Sequence, residues 1–138
     1  MPSVFTKIIA REIPAHVVYE DDLVIAFLDI SQATKGHTLV VSKSEVENVY
    51  GLSDELAGHL FRVAARLARA IQKAFSPAGL NVLNNNGAVA GQTVFHFHLH
   101  LLPRYEDDDV TLAFVNHMDD TGQEDYKERA NLIKAALS

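Results

Sequence analysis

Nine consecutive residues decide the fold: Val94-Phe95-His96-Phe97-His98-Leu99-His100-Leu101-Leu102. Histidine alternates strictly with apolar residues, which predicts a β-strand whose successive side chains point to opposite faces. The three histidines then share one face. We expect the other face to enter the core with the apolar side chains Phe95, Phe97, Leu99 and Leu101. Same-face positions on a strand lie about 6.6 Å apart, from a rise of about 3.3 Å per residue, so all three imidazoles can reach one small ligand.

Three kinds of site fit a strand face of this composition. A solvated surface suits a single histidine better than three in alternation. A metal site fits because histidine is the commonest protein ligand of zinc and related ions. Chemistry at a phosphate also fits, because a neutral imidazole acts as nucleophile, proton carrier or hydrogen-bond donor near pH 7. The spacing alone leaves the metal and phosphate alternatives open.

The composition is that of one globular domain with a real core. The chain has 138 residues, of which 48% are hydrophobic and 22% charged, and its net charge is −6. Nucleic-acid-binding surfaces are basic, so this charge argues against a large nucleic-acid interface, although it leaves room for a small nucleotide. The absence of cysteine excludes disulfides, thiolate zinc sites and cysteine nucleophiles.

The first ten residues carry charge too early for a secretory signal peptide, and no apolar run approaches the length needed to span a membrane. We therefore expect a cytoplasmic protein with no membrane partner.

Hydrophobic periodicity and turn residues predict the remaining elements. We expect a short helix that Ser3 caps and Pro14 ends, and a long helix from the cap Ser53 to Phe75. Further strands are predicted over residues 16–20, 23–29, 37–41 and 80–83, with a less regular strand over 110–116 and a helix over 124–137. The acidic run at residues 106–109 is interpreted as a solvated loop rather than a magnesium site.

The histidine run resembles the histidine triad motif, in which three histidines alternate with hydrophobic residues. The wider chain resembles the Hint branch of the histidine triad (HIT) superfamily, in a bacterial-type version. The resemblance covers roughly residues 3 to 104. Its blocks are Phe5-Thr-Lys-Ile-Ile, Ile13-Pro-Ala, Tyr19-Glu-Asp-Asp-Leu, Ala26-Phe-Leu-Asp-Ile-Ser, Gly36-His-Thr-Leu-Val and Gly91-Gln-Thr-Val-Phe.

The resemblance implies an α+β fold. It implies an antiparallel five-stranded sheet with one long helix and a short N-terminal helix, and a sheet extended across a homodimer. Residues 1–138 would then form a single HIT domain, with a core over about 3–104 and a C-terminal extension over 105–138.

The resemblance also implies a nucleotide hydrolase that cleaves at the α-phosphate of purine nucleotide conjugates, either nucleoside phosphoramidates or related phosphoanhydrides. His98 matches the nucleophile, which would form a covalent nucleotidyl-histidine, with its second ring nitrogen donating to a backbone carbonyl. His100 matches the donor beside the leaving group. His96 and His37 match the pair that orients the other two and carries protons.

The nucleotide pocket follows from the same resemblance. Gln92 and Thr93 match phosphate contacts, and Asp29 matches the acid that binds the ribose hydroxyls. Asn85 and Gly91 match further contacts. The apolar walls around the base match Phe5, Ile8, Phe27, Ile30 and Leu39. No cofactor is expected, and the structural zinc that some bacterial relatives bind through N-terminal cysteines is not expected either.

Two other functions remain open at this point. One is a non-catalytic nucleotide-binding or regulatory interaction protein. The other is a zinc protein that uses His96, His98 and His100. The sequence does not choose the leaving group, nor between adenine and guanine.

Overall fold

Strands and helices form an α+β fold in the computed structural model, which describes residues 2–137. The strands are β1 (Val17–Glu20), β2 (Val24–Leu28), β3 (Thr38–Ser42), β4 (Gly79–Leu83) and β5 (His98–Arg104). The helices are α1 (Val4–Ile9), α2 (Asp54–Phe75) and α3 (Gln123–Ala136).

All strand pairs are antiparallel, in the order β1-β2-β3-β5-β4. The histidine strand β5 is therefore inside the sheet, between β3 and β4. His100 lies opposite Leu39 on one side and opposite Leu83 on the other. This architecture confirms the predicted α+β class with its five-stranded antiparallel sheet.

The two faces of the sheet carry separate apolar clusters, as the alternation along β2 requires. Val24 and Ala26 point to the face that α2 covers, in a cluster that includes Val40, Leu60, Val63, Phe97, Leu99 and Leu101. Ile25 and Phe27 point to the opposite face. There they join Leu39, Val41 and the α1 residues Phe5 and Ile8.

The helix starts agree with the predicted caps. The Ser3 hydroxyl accepts from the N–H groups of Phe5 and Thr6, and the Ser53 hydroxyl accepts from Leu56 N. The predicted end of α1 is wrong: α1 stops at Ile9, well before Pro14. Arg11 has a φ of 64°, which breaks the helical path before proline is reached.

Two expectations for the histidine stretch are also wrong. Regular pairing begins at His98 rather than Val94, so His96 precedes the strand. Phe95 is 49% exposed and lies outside the core. The cause is a local bend, in which Phe97 N donates to Val46 O and Phe97 O accepts from Ser42 N. Alternation continues through this bend, although the strand does not.

The C-terminal segment separates from the sheet after β5. The strand predicted over residues 110–116 is not formed, while the predicted last helix is confirmed as α3. None of the described residues 111–137 is buried. Within residues 2–137, no helix combines the length and apolarity that crossing a bilayer requires.

Candidate active site

A pocket of about 310 Å³ opens between α1, the end of β2 and the histidine strand. Its apolar lining residues are Val4, Phe5, Ile8, Ile13, Pro14, Ala15, Phe27, Leu28, Ile30, Leu39 and Val94. Its polar lining is Asp29, Ser31, Thr93, His98 and His100. A long apolar wall with a few polar groups at one end is the usual form of a small-molecule site.

Nine of the predicted site residues line this pocket. They are Phe5, Ile8, Phe27, Asp29, Ile30, Leu39, Thr93, His98 and His100. Ile30 is 88% exposed, so it stands at the rim rather than in the wall. The other five predicted residues do not line it: His37, His96, Asn85, Gly91 and Gln92.

The hydrogen bonds of His98 fix its tautomer. Its Nδ1 lies 2.7 Å from the His96 carbonyl oxygen, and because a carbonyl only accepts, Nδ1 must carry the proton. In a neutral ring the free lone pair is then on Nε2. His98 is 7% exposed, and its burial lowers its pKa below the ordinary 6.5, which favours the neutral ring.

The His37–His100 pair presents a hydrogen-bond donor to the pocket, whereas His98 presents a lone pair. Ala33 N–H donates to His37 Nδ1 at 3.3 Å, which puts the His37 proton on Nε2. That proton faces His100 Nδ1 at 3.0 Å, so neutral His100 carries its own proton on Nε2. Asp29 Oδ2 lies 3.7 Å from His37 Nε2 and stands beside this relay.

Burial sets the charge state of the pair. It lowers the pKa of His37, against the opposing effect of the Asp29 carboxylate. Burial, reinforced by the neighbouring His98 and His37, lowers the pKa of His100 to about 4. Near pH 7 the pocket therefore shows one lone pair, on His98, and one N–H donor, on His100.

His96 is buried and supports the site from behind. Its Nε2 donates to Ser42 O at 2.6 Å, and its Nδ1 lies 2.8 Å from the Ser3 hydroxyl. The edge of the Phe5 ring packs against both His96 and His98, with centroids 5.7 and 4.9 Å away.

The Gln92 side chain is used inside the loop that precedes the histidines. Its Oε1 accepts from Gly87 N at 2.7 Å, and its Nε2 donates to Glu47 O and Val94 O. Gly91 has a φ of 97°, and the Asn85 amide packs close to its Cα. These three residues shape the loop that carries Thr93 to the pocket.

Several residues that complete the site were not among the predicted site residues. Asn84 Nδ2 donates to the His98 carbonyl, and Ser3 contacts His96. Ile13, Pro14 and Ala15 form one wall. Only the wall had a signal in the sequence, because the Ile13-Pro-Ala run is one of the blocks that carry the family resemblance.

One metal-like grouping occurs among the described residues: Asp29, His37 and His100 offer ligand atoms within 4.8 Å of one another. His96, His98 and His100 do not form such a group, and both ring nitrogens of His96 are in addition engaged, with Ser3 and Ser42. A metal on His37 Nε2 would force the His37 proton onto Nδ1, against the Ala33 N–H group. The hydrogen bonds therefore favour a proton relay at this cluster over a metal centre.

Comparisons with known proteins agree with this geometry. The family model described as HIT domain matches residues 10–107. A protein of Bacillus subtilis strain 168 named Protein hit is 51% identical over 136 residues, which cover 98% of this chain and 94% of that protein.

Solved structures resemble the whole chain. A member of the HIT family of proteins from Bacillus subtilis has a TM-score of 0.96 and 50% identity, covering 100% of this chain and 99% of the other. A histidine triad nucleotide-binding protein from Candida albicans has a TM-score of 0.75 and 28% identity, covering 96% and 99% respectively.

Proposed function

The chain belongs to the HIT domain family, and on that premise we propose that it hydrolyses purine nucleotide conjugates at the α-phosphate through a covalent nucleotidyl-histidine. Family membership supports a nucleotide-binding or hydrolase-type function in general. The particular reaction, on nucleoside phosphoramidates or related phosphoanhydrides, is our proposal.

The observation that carries the proposal is the complementary pair of imidazoles in one pocket. His98 offers a lone pair on Nε2, because Nδ1–H is committed to the His96 carbonyl. His100 offers an N–H donor on Nε2, because Nδ1 accepts from His37. Attack at phosphorus needs a nucleophile on one side and a donor for the departing atom on the other.

The rest of the pocket suits a nucleoside monophosphate. The apolar wall formed by Phe5, Ile8, Phe27 and Leu39 matches the faces of a purine ring. Asp29 Oδ1 already accepts from Ser31 N at 2.8 Å, and the carboxylate has further lone pairs for two ribose hydroxyls. Thr93 lines the same pocket, and in the proposed complex its hydroxyl donates to a phosphate oxygen.

The proposed reaction has two steps. In the first, the His98 Nε2 lone pair forms a bond to phosphorus, the bond to the leaving nitrogen or oxygen breaks with its electrons, and the leaving atom takes a solvent proton by way of His100 Nε2. In the second, water attacks phosphorus, the bonding pair returns to His98 Nε2, and the proton of the water leaves by the same route.

Comparing binding with turnover separates this proposal from a non-catalytic nucleotide-binding protein. We expect His98→Gln to bind AMP in calorimetry within a few-fold of the wild type, and to lose at least about 10³-fold in kcat on an adenosine phosphoramidate. His59→Gln is the matched control, because His59 pairs with Asp21 outside the pocket. A His98→Gln variant with wild-type kcat would refute the nucleophile, and wild-type protein that binds AMP without turnover would favour the binding protein.

A homodimer that extends the sheet is part of the proposal. Strand β4 ends the sheet order, so one of its edges is unpaired within the chain. Val82 on this strand is 41% exposed, and Phe61 on α2 is 58% exposed. An unpaired edge beside exposed apolar side chains supports association with a second copy.

The single domain over residues 1–138 and the cytoplasmic location stay predictions of the sequence.

A further inference from the structure

The Ser3 hydroxyl has two roles: it caps α1, and it contacts a histidine of the triad. As the N-cap of α1, its Oγ accepts from Phe5 N at 3.1 Å and Thr6 N at 3.2 Å. The same Oγ lies 2.8 Å from Nδ1 of His96, which is distant in the sequence. A helix cap does not require the second contact.

The direction of the Ser3–His96 hydrogen bond follows from the other end of the ring. His96 Nε2 lies 2.6 Å from Ser42 O, which only accepts, so Nε2 carries the proton and Nδ1 of the neutral ring is an acceptor. Ser3 must then donate to His96. Its single proton goes to the histidine, which at 2.8 Å is much closer than Thr6 Oγ1 at 3.4 Å, and its two lone pairs accept from the helix N–H groups.

The position of the His96 ring affects His98 through the backbone carbonyl of His96. His96 is 2% exposed and is held by Ser3 on one side and Ser42 on the other. The carbonyl of His96 accepts the Nδ1–H of His98. Holding the His96 ring therefore holds the acceptor that leaves the lone pair of His98 on Nε2.

We propose that Ser3 is a positioning residue for the reaction: it donates to His96 Nδ1 while His96 Nε2 donates to Ser42 O, and so it holds the His96 carbonyl against His98 Nδ1. The inference rests on the proposed function, because it takes His98 as the nucleophile. In this inference Ser3 contributes to turnover as well as capping α1.

Replacing Ser3 with aspartate separates the two roles. Aspartate caps helices as well as serine does, so α1 should survive. A carboxylate accepts and cannot donate, so His96 must take a proton on Nδ1 and become a cation. Ser3→Thr keeps both the cap and the donor. Thr6→Ala is the matched control for the cap. It removes Thr6 Oγ1, which accepts from Ser3 N, lies 3.4 Å from Ser3 Oγ and donates to Glu45, and it leaves both partners of the Ser3–His96 contact in place.

We would record ¹⁵N NMR spectra of the histidine rings, the unfolding transition, and kcat and KM on an adenosine phosphoramidate. In Ser3→Asp we expect an imidazolium signal for His96, unchanged unfolding, and a kcat lower by about 10-fold to 100-fold, as for a misplaced reacting group. KM should stay within about twofold, because Ser3 does not line the nucleotide pocket. Ser3→Thr and Thr6→Ala should keep the neutral His96 signal and the wild-type kcat.

Two results would overturn the inference while leaving the proposed function intact. One is a Ser3→Asp variant with a neutral His96 and wild-type kcat. The other is a Thr6→Ala variant whose kcat falls as far as that of Ser3→Asp, because the effect would then belong to the helix cap. Wild-type protein with no turnover would instead refute the proposed function and, with it, the role in turnover. The NMR spectra need no substrate, so these failures are distinguishable.

Discussion

At the scale of single residues, the site depends on which nitrogen of each imidazole carries the proton. A backbone carbonyl settles this for His98 and a backbone N–H settles it for His37. The alternating sequence predicts that His96, His98 and His100 share one face, and the family resemblance adds His37 and the carbonyl acceptor of His98. Neither predicts Gln92 as an internal brace or Ser3 as a donor, because hydrogen bonds between distant segments leave no spacing pattern.

These protonation states predict the pH dependence of turnover. The pKa values of His98, His37 and His100 are all lowered, chiefly by burial. A lowered pKa keeps the neutral nucleophile present at more acidic pH than an ordinary histidine would allow. We expect the acidic limb of a kcat/KM profile measured from pH 4 to 8 to have its midpoint below 6.5. A midpoint at or above 6.5 would contradict the neutral, buried site.

Asp29→Asn tests the sign of this dependence. The Asp29 carboxylate raises the pKa of all three histidines against the effect of burial. Removing its charge should move the acidic limb further down in pH, while KM rises because a ribose contact is weakened. A shift of the limb to higher pH would show that Asp29 does not act on these rings as a charge.

At the scale of elements, the sequence predicts each observed strand to within about two residues except the histidine strand, and it predicts one strand, over residues 110–116, that does not form. Its start is wrong because the alternation of His96 and Phe97 continues through a bend that a distant carbonyl, that of Val46, creates. The end of α1 is wrong because a left-handed residue, Arg11, acts before the proline does. The local sequence pattern therefore predicts which strands and helices form, and contacts with distant parts of the chain determine where they begin and end.

A pair of glycine substitutions tests how the loop before β3 is held. Gly36 has a φ of 93°, and an added Cβ would lie 2.9 Å from the Phe75 ring. We expect Gly36→Ala to lower the free energy of unfolding by about 1–3 kcal/mol in urea titrations. Gly58 is the control, because it lies inside α2 with open space around it, and Gly58→Ala should raise stability by up to about 1 kcal/mol. Equal effects at the two positions would contradict the strained geometry assigned to Gly36.

At the scale of the whole molecule, the unpaired edges of the sheet predict how copies associate. Val82 on β4 and Val17 on β1 have similar exposure, 41% and 39%, and both lie on edge strands. We expect light scattering to give the wild type twice the 15.2 kDa mass of one chain, and Val82→Asp one chain mass, because a buried charge opposes edge pairing. Val17→Asp should keep the double mass. Loss of the dimer in Val17→Asp alone would place the interface at β1.

The proposed function requires the molecule to present His98 Nε2 to a phosphorus atom, and rapid mixing followed by peptide mass spectrometry tests this most directly. Wild-type protein mixed with an adenosine phosphoramidate and quenched within one turnover should carry an acid-labile adenylyl group on the peptide that contains His98. His98→Ala should carry none, while His59→Ala should label as the wild type does. Label that persists on the same peptide of His98→Ala, or that appears on another residue of the wild type, would contradict the account.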